Sequence, residues 1–156
     1  MKAIMYHYVR EYDEAHPAFT FLDFGKFQKQ LDYFGERFGF VEKQEWFDFT
    51  HSGKMPKTPG KILLTFDDAA SCHYRNVFPE LLKRNLWGLF YVSTLPYRSG
   101  KILDVHRIHL LCGALDGEIL LNTALQLISE EMIPDSKRKA FTDKTYFNQK
   151  NYEGVT

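Results

Sequence analysis

The chain has 156 residues, 44% of them hydrophobic and 16% aromatic, and its 20 Lys and Arg against 20 Asp and Glu leave a formal net charge of zero. That content suffices for one buried core in a single domain, and the balance lacks the basic footprint of a nucleic-acid or anionic-membrane partner. Cys72 and Cys112 lack C-x-x-C spacing and build no disulfide framework, no apolar run is long enough for a membrane span, and MKAIMYHYVR has no signal-peptide core, which makes the cytoplasm the default compartment.

Ala3 to Tyr8 reads as a short strand. His7 near its end is a candidate for lining whatever site that end meets, the other reading being a surface or strand-packing histidine. A helix is predicted from Asp23, a good N-cap, because Phe24, Phe27, Leu31, Phe34 and Phe38 recur at helical spacing and form a core face. Gly39 closes it and Phe40-Val41 forms a brief strand. Trp46, Phe47 and Phe49 then sit on a short helical turn before the Gly- and Pro-rich loop of residues 51–60, in which His51 is solvated.

Residues 61–69, KILLTFDDA, organise the rest. Ile62, Leu63, Leu64 and Phe66 predict a buried strand that delivers Asp67 and Asp68 to its C-terminal end. Buried carboxylates need a partner, most simply a metal ion. In an extended segment the two side chains point to opposite sides, which lets one bind metal while the other handles protons. The alternative is that both merely cap the following helix.

That helix is predicted over residues 71–84, with Val77, Phe78, Leu81 and Leu82 on one face and Pro79 either in the first turn or at a kink. Gly88 to Val92, apolar throughout, predicts a strand covered on both faces and completes a βαβ unit with parallel pairing. The loop of residues 93–100 leaves the sheet at the same end as Asp67. Asp104 to Leu115 predicts a helix on which His106 and His109, three apart, share a face. They are either a metal pair or, more economically, a hydrogen-bonded packing pair. Residues 117–130 predict an amphipathic helix built on Ile119, Leu120, Ala124, Leu127 and Ile128, and the charged sequence beyond Pro134 a surface helix running into a loop.

Leu64-Thr65-Phe66-Asp67-Asp68-Ala69 resembles the first motif of the polysaccharide deacetylases, the NodB-homology family, where it usually reads TFDDG. Met5-Tyr6-His7-Tyr8-Val9 is similar to the YHxV start of the family's poly-N-acetylglucosamine deacetylase branch. Tyr74, Asn76, Val77, Phe78-Pro79, Leu81-Leu82 and residues 88–92 match its next helix and strand. Ala69 departs from the usual glycine. The resemblance implies an α/β fold, a partial (β/α) barrel with parallel strands and flanking helices. It also implies Asp67 as general base, Asp68 as ligand of a divalent metal, typically zinc, and His7 as a substrate-binding residue. The reaction would be hydrolysis of the amide of an N-acetylated amino sugar or polysaccharide, so the expected partner is a carbohydrate carrying N-acetyl groups.

The family's second motif, H-[ST]-x-x-H, is not found; Arg107 stands where Ser or Thr would follow the first histidine. Its arginine- and proline-containing third motif and its late histidine are not found either. A closed barrel needs roughly 200 to 250 residues, so the chain is expected to be the N-terminal portion of such a domain. By itself it is expected to be inactive and to expose apolar surface from Ile62–Phe66 and Leu89–Val92. A non-catalytic carbohydrate-binding or structural module is the competing class. A phosphoryl-transfer enzyme is disfavoured, because the D-x-D-x-T pattern is not met at Asp67.

Overall fold

The structure, a computed structural model, describes residues 1–55, 60–132 and 134–138. Strands β1 (Lys2–Tyr6), β2 (Val9–Arg10) and β3 (Leu22–Asp23) precede helices α1 (Phe24–Arg37) and α2 (Lys43–Ser52). Strand β4 (Ile62–Phe66) follows, then a π-helical turn (His73–Val77) that runs into α3 (Phe78–Lys83), strand β5 (Leu89–Phe90) and helices α4 (Leu95–Ser99), α5 (Asp104–Ala114) and α6 (Gly117–Leu127).

Every residue of β4 is buried, as its apolar run predicts. β1 and β5 flank it, both parallel, in register from Lys2↔Ile62 to Tyr6↔Phe66 on one side and Thr65↔Leu89 to Phe66↔Phe90 on the other. The parallel order expected of the βαβ unit is therefore present. The expected partial barrel is met only as an α/β arrangement of parallel strands and helices: the described residues hold a three-stranded sheet, β1-β4-β5, and a separate parallel pair, β2-β3, and no barrel closes.

Phe66 is the hub of the core. Its ring stacks on Tyr6 at 5.4 Å and on Phe90 at 4.8 Å and meets Phe27 of α1 edge-on at 6.2 Å. Phe27 and Leu31 from the predicted aromatic stripe, with Val77 and Leu81, complete the buried cluster, and each such side chain contributes about 1.5–3 kcal/mol by leaving water. The Asp23 carboxylate caps α1 by accepting from Lys26 N at 3.0 Å. Gly88 lets β5 approach, because a Cβ there would sit 2.7 Å from the Phe66 ring and 3.1 Å from the Leu64 carbonyl.

Four expectations need correction. β5 is not covered on both faces: Phe90, Tyr91 and Val92 are 38%, 53% and 53% exposed, and among the described residues β5 is an edge strand rather than an interior one. Ile62–Phe66, by contrast, is buried rather than part of an apolar patch. Phe78 and Leu82 point to solvent while Val77 and Leu81 are buried, since the next residue along a helix is turned about 100° away. α2 continues through Ser52, so His51 lies in a helix and not a loop, its Nδ1 2.7 Å from the Phe47 carbonyl, although it stays exposed. Pro79 falls at the start of α3, where the π-helical turn accommodates its missing N–H.

The chain divides into two compact units, Met1–Leu115 and Asp116–Thr156. In the second, Asp116 caps α6 through bonds from Glu118 N and Ile119 N, and no residue of α6 is buried. The surface helix and loop expected beyond Pro134 lie largely outside the described residues, which stop at 138. Among the described residues no helix is long and apolar enough to cross a membrane.

Candidate active site

The end of β4 places the two carboxylates. Asp67 N still donates to Tyr6 O at 2.9 Å as the last bond of the parallel ladder, after which the chain leaves the extended region: Asp68 has φ +73° and Ala69 φ +50°. The two carboxylates therefore sit on a left-handed turn just past β4, not on the extended segment expected of them. Neither carboxylate accepts a backbone N–H, so the helix-capping alternative has no hydrogen bond to support it among the described residues. Left-handed backbone at position 69 is also the physical reason a glycine suits this motif.

Two histidines of separate origin approach Asp68. His7, just past the end of β1, has its Nε2 3.7 Å from Asp68 Oδ2, and His106 of α5 has its Nε2 3.5 Å from the same oxygen. The Asp68 side chain is 28% exposed and lines a cleft of about 800 Å³ with Tyr8, Arg75, Asn76, Tyr97 and His106. Asp67 and Asp68 together line a smaller cavity of about 410 Å³ with Tyr91, Val92 and Ser93. Of the two readings open for each histidine, site-lining or packing for His7 and metal pair or packing pair for His106, the structure puts both beside Asp68, with His106 also packed against Tyr8.

Tyr8, which sequence reasoning passed over, ties the group together. Its hydroxyl lies 2.8 Å from His106 Nδ1 and 3.1 Å from His109 Nδ1. Burial, followed by the charge of Asp68, raises its pKa above the ordinary 10.0, so the hydroxyl keeps its proton at neutral pH. α5 reaches Tyr8 because Gly113 permits contact with Phe19: a Cβ at 113 would sit 2.8 Å from Phe19 Cβ, and Ala18 N donates to Gly113 O at 3.0 Å. The only sequence signal was the shared helical face of His106 and His109.

His73 supports the site from below. Its Nε2–H donates to the His7 carbonyl and its ring meets Phe66 and Phe90 edge-on, while Nδ1 is buried without a hydrogen-bond partner among the described residues. Burial lowers its pKa from the ordinary 6.5, so it is held as a neutral ring.

A divalent cation can be tested against these atoms. Carboxylate and imidazole are donor types that zinc takes, and Asp68 Oδ2 has two imidazole nitrogens within 3.7 Å. Yet among the described residues no three His, Cys, Asp or Glu side chains are arranged as a metal-holding group. The donors fit in kind and do not close a shell.

No family model matches the sequence, and no curated protein matches it. The chain is similar to the Streptococcus pyogenes deacetylase PplD in complex with acetate, at 19% identity and a TM-score of 0.49 over 71% of this chain and 52% of that one. It is similar to IcaB from Ammonifex degensii, at 33% identity and a TM-score of 0.43 over 58% and 37%, and to a de-N-acetylase from Aggregatibacter actinomycetemcomitans, at 16% and 0.45 over 59% and 37%. The chain thus spans about half the length of the first and just over a third of the other two.

Proposed function

We propose that this chain is the N-terminal portion of a metal-dependent amide hydrolase of the polysaccharide deacetylase type, which removes acetyl groups from an N-acetylated amino sugar or its polymer. The observation that carries this reading is the placement of the Asp67-Asp68 pair at the C-terminal end of the central parallel strand, with His7 and His106 drawn to one oxygen of Asp68. Asp68 would hold a divalent cation such as zinc. When bound, such a cation supplies Lewis acidity at the N-acetyl carbonyl. Asp67, the neighbouring carboxylate, takes the proton of the attacking water, and His7 faces the substrate.

Zinc binding to the chain, followed by calorimetry, tests the division of labour. Asp68→Asn is expected to weaken binding by about tenfold or more, whereas Asp67→Asn leaves it near the wild-type value. Equal affinity in wild type and Asp68→Asn would sink the assignment. Acetate release from an N-acetylglucosamine oligomer is expected to be absent for the chain alone, because the donors among the described residues do not close a metal shell. That same observation favours a second reading, a non-catalytic carbohydrate-binding module, which predicts oligosaccharide binding with no dependence on zinc.

A further inference from the structure

We propose that Tyr8 is a positioning residue whose single hydroxyl locks His106 and His109 in opposite tautomers, turning the Nε2–H of His106 toward Asp68 and leaving the Nε2 of His109 as a bare lone pair. The geometry stands by itself; its functional meaning rests on the reading of Asp68 as the working centre.

Both Nδ1 atoms contact the same Tyr8 oxygen, at 2.8 and 3.1 Å, and a phenol has one O–H to donate. Only one Nδ1 can accept it. The other must carry its own hydrogen and donate to the phenol oxygen, and a neutral imidazole carries only one, so the two rings cannot share a tautomer. Asp68 sets the direction. A carboxylate only accepts, and its Oδ2 lies 3.5 Å from His106 Nε2, which favours the hydrogen on that nitrogen. His106 Nδ1, the closer of the two to the phenol, then accepts from Tyr8, and His109 Nδ1–H donates to it.

The arrangement is held from outside. The Tyr8 ring packs edge-on against Phe19 at 4.7 Å, and Phe19 is buried against Gly113 of the helix that carries both histidines. Tyr8 thus has little freedom to release either ring. His109 also lines a cavity of about 500 Å³ with Met5, His7 and Phe21. Its lone pair makes it an acceptor in a mostly apolar lining, suited to a neutral hydroxyl or amide N–H donor.

Long-range ¹H–¹⁵N correlation spectra of the histidine-labelled, metal-free full chain, taken where both rings are neutral, read the tautomers directly. The expected result is His106 protonated at Nε2 and His109 at Nδ1. In Tyr8→Phe, His109 is expected to lose its Nδ1–H and revert to the Nε2–H form that free imidazole side chains prefer in water. Wild-type rings in the same tautomer, or a His109 unchanged by Tyr8→Phe, would overturn the proposal; the wild-type spectrum decides even where the variant fails to fold. Opposite tautomers without zinc binding at Asp68 would remove the hydrolase reading and leave this one standing, and the converse result would do the reverse.

Discussion

Ala69 sits at φ +50°, immediately after Asp68 at +73°. An L-residue in this region carries a cost of about 1–2 kcal/mol that glycine avoids, while glycine gains about 0.4–1 kcal/mol of unfolded-state entropy. The first effect is the larger, so Ala69→Gly is expected to stabilise the protein by roughly 0.5 kcal/mol in urea unfolding, against the usual direction for such a change. A lowered midpoint would mean that the alanine methyl makes a packing contact worth more than the strain. His73 makes the stability of the fold depend on pH. Held neutral by burial below its ordinary 6.5, it leaves the folded state binding fewer protons than the unfolded chain as pH falls through that value. Stability therefore declines as pH falls through about 6.5, until the lowered folded pKa is reached. His73→Gln retains a donor for the His7 carbonyl but cannot titrate, so its unfolding midpoint should vary less over that range. An unchanged slope would place the dependence elsewhere.

At the level of elements, two glycines decide where the site's parts can go. Gly88 admits β5 to the Phe66 ring and Gly113 admits α5 to Phe19, with Cβ clearances of 2.7 and 2.8 Å. Gly113→Ala would gain up to about 1 kcal/mol of helix propensity, yet the new methyl meets Phe19 at its Cα and Cβ, which cannot swing away as a flexible chain end can. The clash wins: a loss of about 1–3 kcal/mol is expected, with α5 displaced from Tyr8. Loss of the tautomer difference between His106 and His109, with little change in far-ultraviolet circular dichroism, would mark that displacement. A variant as stable as wild type would show that α5 docks by other contacts. These contacts also explain what the sequence made legible. The run KILLTFDDA and the stripe from Phe24 to Phe38 are local patterns, fixed by burial and periodicity, and both stand where they were read. The meeting of His106 with Asp68 was not legible, because it depends on a glycine contact with a residue distant in sequence. Nor was the exposure of β5, since an apolar run reads alike whether its strand is central or at an edge.

For the whole molecule, the decisive feature is the distribution of apolar surface around the sheet. β4 is buried throughout, whereas the strands beside it carry exposed side chains, Met5 at 60% on β1 and Phe90 at 38% on β5, with Tyr91 and Val92 at 53% just beyond. β5 bonds to β4 alone among the described residues, so one row of its backbone groups is free to pair. Unpaired strand edges next to aromatic side chains template association, and natural sheets blunt them with lysine. The zero formal charge of the chain adds no long-range repulsion to oppose it. The chain is therefore expected to self-associate, with a light-scattering mass that rises with concentration above the 18.4 kDa of one copy. Tyr91→Lys leaves the Tyr91 N–H bond to Phe66 O in place while setting a charge at the edge, and it should return the mass towards one copy at the same concentration. A wild-type chain that scatters as a monomer at every concentration would show that this edge is too short to recruit a partner.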